Sequence, residues 1–182
     1  RMLIIGNHGT NEANVCNILK NGFETSIGNY HWYGEGVYFF IEGVNDNITY
    51  LAEQWAKDQA FDKKTKSYKY RKYAVLEAHV DSKNDRTVDL RVKESLEIVN
   101  KVRELVKQMC KCLNKKMNDN EIWKYMKNKF DIQIVIDNTY IKFSEDRKNK
   151  ISSRVPNCTI MSVLDVNIIN KDNIKLLKKG DI

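Results

Sequence analysis

His8-Gly9-Thr10 and, after a helix-like stretch, Trp32-Tyr33-Gly34-Glu35-Gly36-Val37-Tyr38-Phe39-Phe40 decide the reading of this chain. The first segment follows Met2 to Ile5, whose apolar composition is that of a short buried strand, so Gly6-Asn7-His8-Gly9-Thr10 is expected as the turn that leaves it. Thr10 or Asn11 can cap a helix bearing Ala13, Cys16, Ile18 and Leu19, and Asn21-Gly22 supplies its stop. Ser26 to Gly36 is polar and glycine-rich, hence a loop, while Gly36 to Ile41 is dense in β-formers. An imidazole, a backbone amide beside a glycine and an aromatic ring are thereby spaced to share one cleft. Neither segment alone carries that inference; the two together do.

Working outward, Ile48, Leu51, Ala52, Trp55, Ala56 and Ala60 recur at helical intervals behind a start near Asn45 to Asn47. Lys63 to Lys72 is a basic loop, and Tyr73 to Val80 a strand. Leu96, Val99, Val102, Leu105 or Val106, Met109 and Leu113 mark a long amphipathic helix, and Ile122 to Met126 a shorter one. Ile132 to Ile136 and Tyr140 to Phe143 are expected as strands, Ser144 to Arg154 as a charged stretch, and Pro156 as a boundary. Thr159 to Val163, Val166 to Ile169 and Ile174 to Leu177 close the chain as strand material. Strands at both ends with helices between them predict an α+β domain built on two small sheets with flanking helices. Residues 1–182 are expected to form one domain, with a helical segment, 92–130, inserted between strands.

Forty-two per cent apolar and 30% charged residues describe a folded protein rather than a disordered one. No apolar run approaches the roughly 18 residues a membrane span requires, so no membrane partner is expected. The chain opens at Arg1 directly onto an apolar strand, and we expect upstream sequence to have been removed. Cys16, Cys110, Cys112 and Cys158 lack metal-ligand spacing, so no metal is expected; they fit small buried hydrophobes in a reducing compartment, which points to the cytoplasm. A net charge of +7 favours anionic partners.

His8-Gly9-Thr10, the Gly22-Phe23 helix stop and Gly34-Glu35-Gly36-Val37-Tyr38-Phe39 resemble the donor-site half of the poly(ADP-ribose)-polymerase-like, diphtheria-toxin-like ADP-ribosyltransferase fold, across roughly residues 3 to 60. The likeness is greatest to small bacterial and phage-associated toxin-like members. It implies the split β-sandwich of that fold and NAD consumed as substrate. It also implies transfer of ADP-ribose to a macromolecular acceptor by a toxin or defence effector, with an antitoxin as a further partner class. By resemblance, His8 contacts the adenosine-side ribose, Gly9 holds the nicotinamide amide through its backbone beside Thr10, and the Tyr38 ring packs on nicotinamide. A second aromatic wall falls on Tyr50, and Asn47 falls where a small polar side chain bonds the amide.

The third motif position departs from the family. Relatives place a Glu or Gln at the start of a late strand, and alignment of Pro156 to Met161 puts Thr159 there. A hydroxyl hydrogen-bonds ribose but does not offset oxocarbenium-like charge as a carboxylate does, so single transfer is expected rather than polymer growth. Asn157 or Glu145 can substitute for the acid. The alternative is a catalytically weak NAD or ADP-ribose binding module. A tRNA 2′-phosphotransferase-like enzyme shares the donor chemistry, but Tyr38 and Thr159 speak against it. Lys69, Arg71 and Lys72, with Tyr68 and Tyr70 interleaved, and Arg154 are the expected acceptor contacts, which favours RNA or DNA over protein. His31 and His79 have no partners at diagnostic spacing and are expected to be ordinary surface or strand residues.

Overall fold

In the computed structural model, which describes residues 1–28 and 31–182, the chain is α+β; Asn29 and Tyr30, within the expected loop Ser26 to Gly36, lie outside the described residues. The elements are β1 (Met2–Asn11), α1 (Val15–Asn21), β2 (Val37–Ile41), α2 (Ile48–Ala60), β3 (Phe61–Asp62), β4 (Ser67–Tyr68) and β5 (Lys72–Ser82). They continue as β6 (Thr87–Asp89), α3 (Lys93–Cys112), α4 (Asp119–Phe130), β7 (Ile134–Thr139), α5 (Ser144–Lys148), β8 (Cys158–Val163) and β9 (Ile169–Asp181).

The expected pair of small sheets is replaced by one seven-stranded mixed sheet, ordered β6-β7-β8-β2-β1-β5-β9, and a separate β3-β4 hairpin. All pairs in the large sheet are antiparallel except β6 with β7. Its two halves meet at a single position, Asn7 opposite Phe40. On its other side β1 pairs with β5 along its whole length, from Met2 opposite Ser82 to Asn11 opposite Tyr73. His8-Gly9-Thr10 is therefore strand rather than the expected turn. Extended pairing to a buried partner satisfies three backbone units that a turn would leave to solvent.

Side chains alternate across the sheet, and the two faces bury different clusters. One face packs Phe39, Ile41, Leu76, Ala78, Met161 and Val163 against Val15 and Ile18 of α1. The other packs Phe40, Val75 and Ile160 against Leu51, Ala52 and Ala56 of α2, and Val88 and Val135 against α3 and α4. Leu3 and Ile5 stay exposed, so the first turn of β1 is not the buried strand its composition suggests.

The helices differ from expectation in which stripe they bury. On α1 Val15 and Ile18 face inward while Cys16 and Leu19 are exposed, and Gly22, at φ +86°, ends the helix. On α3 the buried stripe is Val99, Val102, Val106 and Cys110; Leu96, Leu105, Met109 and Leu113 lie outside it. Cys112 is exposed as well, so only Cys110 and Cys158 behave as buried hydrophobes. No described helix is long and apolar enough to cross a membrane.

Three expected strands also change. Tyr140 to Phe143 leaves the sheet because the Asn157 side chain takes both the Ile141 N–H and the Ile141 carbonyl, each at 2.9 Å, in place of a ladder partner. Val166 to Ile168 is a 3₁₀ turn capped by Asp165, whose carboxylate accepts from the Asn167 N–H at 3.1 Å. The closing strand runs the full length of β9, with register shifts where it opposes Val75, Leu76, Glu77 and His79.

Glu53, buried on α2, fixes that helix to the sheet. It accepts from Lys57 at 2.6 Å, from Lys178 of β9 at 2.6 Å and from Tyr73 of β5 at 2.9 Å. Burial alone would raise its carboxyl, but Lys178, Lys57 and Tyr73 hold it down at about 2. Because this folded-state value lies below the ordinary 4.5, the stabilisation is present above that pH and is lost as pH falls towards 2. Glu53→Gln is expected to be less stable than wild type by roughly 2–3 kcal/mol at pH 7, with the difference closing by about pH 2. Urea unfolding across that pH range measures it.

Candidate active site

Where β1 and β2 part beyond their single bridge, two cavities meet. One, of about 450 Å³, lies against His8, Thr10, Asn14, Asn17 and Phe23. The other, of about 230 Å³, lies against Gly9, Phe40, Ile141 and Ile160. Side chains alternate along β1, and His8 stands opposite Leu76 while Gly9 stands opposite Val75, so these two residues face opposite sides of the sheet. The two cavities share His31, Tyr38 and Trp55 as common walls.

His8 keeps the gap in register. Its Nδ1 lies 2.8 Å from the Tyr38 carbonyl and serves as the donor there, which leaves Nε2 as an acceptor. The ring packs edge-on to Phe23 at 5.2 Å and against Phe39 at 5.7 Å. Burial lowers its pKa below the ordinary 6.5 despite the hydrogen bond to Tyr38, so the imidazole is neutral at physiological pH.

Gly9 is required by α2. A Cβ there would stand 1.9 Å from the Ala52 carbonyl oxygen and 3.1 Å from the Ala56 Cβ. Glycine at 9 and alanine at 52 and 56 therefore let helix and strand approach closely, and the next large side chain, Trp55, is left at the opening. Thr10 lines the larger cavity and accepts from the Asn14 amide at 3.0 Å.

Tyr38 is held at both ends of its hydroxyl, which donates to the Gly34 carbonyl at 2.8 Å and accepts from the Tyr33 N–H at 3.0 Å. Its ring faces His31 at 6.2 Å with the planes 31° apart. The loop carrying His31 and Trp32 is fixed from outside by α4. Trp123 Nε1 donates to the Trp32 carbonyl at 2.9 Å, Asn120 donates to the Gly28 carbonyl at 3.1 Å, and Lys124 pairs with Glu35 at 3.6 Å. Gly34, at φ +85°, has a left-handed backbone, and a Cβ there would meet Trp123 and Leu164 at 2.9 Å.

Several expected site residues lie elsewhere. Asn47 caps α2, its side chain accepting from the Tyr50 N–H at 3.2 Å. Tyr50 lines a separate cavity of about 180 Å³ together with Glu145 and Asn157, so neither of those two supplies an acid to the cleft. The helix instead offers Trp55 as the aromatic wall. Thr159 is fully buried; its hydroxyl donates to Asn138 Oδ1 at 2.7 Å and accepts from the Val44 N–H at 2.9 Å. It opposes Ile41, on the face away from Phe40. The β8 residue on the cleft wall is Ile160, opposite Phe40.

Lys69, Arg71, Lys72 and Arg154 are exposed and line neither cavity. Arg71 stacks over Tyr68 at 4.2 Å, and Lys72 lies 4.0 Å from Glu12. The hairpin follows α2 directly, and Arg147, on α5, binds Asp58 of α2 at 3.0 Å. The hairpin and α5 thus both adjoin the C-terminal half of the helix that carries Trp55. His79, beside Glu77 at 3.5 Å, is a strand residue away from the cleft.

No family model matches the chain, and no curated protein does.

Thr159→Val is expected to cost about 1–3 kcal/mol, because it leaves the Asn138 and Val44 groups unpaired in the interior, and to leave the cleft unchanged. Thermal unfolding, with the fluorescence of Trp32 and Trp55 as the reporter of the cleft, checks both halves.

Proposed function

We propose that the chain is a mono-ADP-ribosyltransferase that cleaves NAD and transfers ADP-ribose to an anionic macromolecular acceptor. The observation that carries this reading is the pair of cavities where β1 and β2 part. They bring together the neutral His8 imidazole, the Gly9 backbone and the rings of Tyr38, Trp55 and His31, the last three lining both. In the same reading the sheet, divided at one bridge, is the split sandwich of the ADP-ribosyltransferase fold.

The two cavities differ in the way the two ends of a dinucleotide differ. The larger is walled by Thr10, Asn14, Asn17 and Ser26, which match ribose hydroxyls and phosphate oxygens, and His8 Nε2 can accept from a ribose hydroxyl there. The smaller is walled by Phe40, Ile141, Ile160, Trp32 and Tyr38, a slot for a flat heterocycle. NAD, consumed as substrate, supplies the ADP-ribosyl group and releases nicotinamide. The protein's own part is to hold the donor across the two cavities, to exclude water with Trp32 and Trp55, and to keep Tyr38 fixed through Tyr33 and Gly34.

Ile160 favours a second reading, an NAD-binding module with negligible cleavage, because no carboxylate lines the smaller cavity among the described residues. Nicotinamide release separates the two. The basic clusters beside α2 support RNA or DNA as acceptor. A cytosolic toxin or defence effector, checked by an antitoxin, is the setting this activity fits.

Wild type is expected to bind NAD and to label total RNA or DNA from radiolabelled NAD, with labelling falling steeply as salt rises. His8→Ala and Trp55→Ala are each expected to weaken NAD binding by tenfold or more. Because His8 titrates below 6.5, affinity should stay level from pH 8 down to 6.5 and drop only in more acid solution. Calorimetry with NAD measures this, and the absence of any NAD binding by folded wild type would overturn the proposal.

A further inference from the structure

A carboxylate lies one strand beyond the cleft wall. On β8 Ile160 is opposite Phe40 on one side and opposite Asp137 of β7 on the other. Residues paired in this way share a face, with Cβ atoms roughly 4.5–5.5 Å apart. Phe40, Ile160 and Asp137 therefore form a row across the face that carries the smaller cavity, and Asp137 is the acidic end of that row. Two residues beyond the end of β7 the chain supplies Ile141, which lines the same cavity.

Asp137 is held in place by a hydrogen bond from the loop beside the cavity. It is half-buried, and its Oδ2 accepts from the Tyr33 hydroxyl at 2.6 Å. Tyr33 belongs to the loop that covers the cavity, and its N–H donates to the Tyr38 hydroxyl. One hydrogen-bonded chain thus runs from Asp137 through Tyr33 to Tyr38.

We propose that Asp137 is the acceptor-side base of the reaction, receiving the proton of a nucleophile that enters over Ile160 from the β7 side; the inference rests on the donor reading given above. The bond between the ribose anomeric carbon and nicotinamide breaks, and nicotinamide leaves neutral with the electron pair. The acceptor's oxygen or nitrogen bonds to that carbon and gives its proton to the Asp137 carboxylate, which returns it to water. NAD and acceptor become ADP-ribosyl acceptor, nicotinamide and a proton.

The charged and titratable groups facing Asp137 are Tyr33 from the covering loop, and Asp89 and Arg91 at the end of β6. Arg91 is bound to Asp89 through two hydrogen bonds, at 2.8 and 2.7 Å. Burial, aided by Asp89, raises the Asp137 carboxyl above its ordinary 3.8 even though Tyr33 and Arg91 favour the charged form. Burial raises Tyr33 as well, so it remains a donor.

The test uses wild type, Asp137→Asn and Tyr33→Phe. Asp137→Asn retains an acceptor for the Tyr33 hydroxyl, so NAD affinity within about threefold of wild type and an unchanged melting temperature are expected. Transfer of label to RNA or protein, measured at saturating NAD so that His8 protonation does not enter, should fall by about 10²–10⁴-fold, and the acid limb of that pH profile should vanish. Tyr33→Phe removes a hydrogen bond that favours the carboxylate, so the acid limb should move to higher pH. The carbon-13 resonance of the Asp137 carboxyl should shift its titration in step. Wild-type transfer by Asp137→Asn, or a limb and resonance unmoved in Tyr33→Phe, overturns this inference alone. Should Asp137→Asn fail to fold, the limb and the resonance in Tyr33→Phe decide. Wild type that binds no NAD, or binds it without transfer to any acceptor, overturns the functional reading and this inference with it.

Discussion

A single backbone bridge, Asn7 to Phe40, joins the two halves of the sheet, and the rest of the structure is arranged around that economy. A complete ladder between β1 and β2 would leave no gap there. With one bridge, the backbone groups beyond it need other partners, since unpaired polar groups in the interior are costly. His8 Nδ1 supplies one by bonding the Tyr38 carbonyl, and β5 supplies the partners on the other side of β1. The buried Asn7 side chain meets the Thr49 hydroxyl at 2.7 Å and so secures the start of α2 beside the bridge. The residue types around the gap follow from what the gap leaves unsatisfied.

Two helices then decide the shape of the opening, by opposite means. α2 lies close against β1 through Gly9, Ala52 and Ala56, and its position is fixed by the Glu53 ion cluster reaching β5 and β9. α4 never touches the cavities. It fixes the covering loop through backbone carbonyls, using Asn120 and Trp123, and so determines where His31 and Trp32 stand. The long helical excursion between β6 and β7 thereby acts on the site as a rigid support behind the loop.

The class of fold was legible in the sequence because β2, β5 and β8 are dense in β-formers and α2 and α3 have helical period. β9 was legible only in pieces, with Ile174 to Leu177 read as strand: it is an edge strand with only Ile169 and Ile174 buried, so it carries no continuous alternation. His8, Gly9 and Tyr38 were found through their spacing. Trp55 was recognised as a helix position but not as a wall, although the small residues at 9, 52 and 56 are a readable sign of close approach. Thr159, which the resemblance aligned with the motif acid, stands on the face away from the cleft, and its neighbour Ile160 is on the wall. Strand period is two, so one residue exchanges the cleft face for the opposite core. Asp137 was beyond sequence reasoning, because its importance comes from a pairing across three strands.

The placement of Thr159 and Ile160 bears on the chemistry proposed. A carboxylate on the cavity wall would both steady charge on the ribose and hold the hydroxyl of an incoming sugar, and Ile160 does neither. In the proposed reaction a wall of Ile160, Ile141, Trp32 and Tyr38 would instead desolvate a cationic nicotinamide, which becomes neutral as it leaves, so the same apolar surface would favour release of the ring. The burden of the proton then passes to the acceptor's side of the cleft, where Asp137 stands. With the acid displaced by one strand, a nucleophile must reach in over Ile160 rather than lie against the ribose. An exposed, projecting group on a macromolecule meets that requirement better than the hydroxyl of an ADP-ribose already attached, and a single transfer per site is the activity this geometry suits.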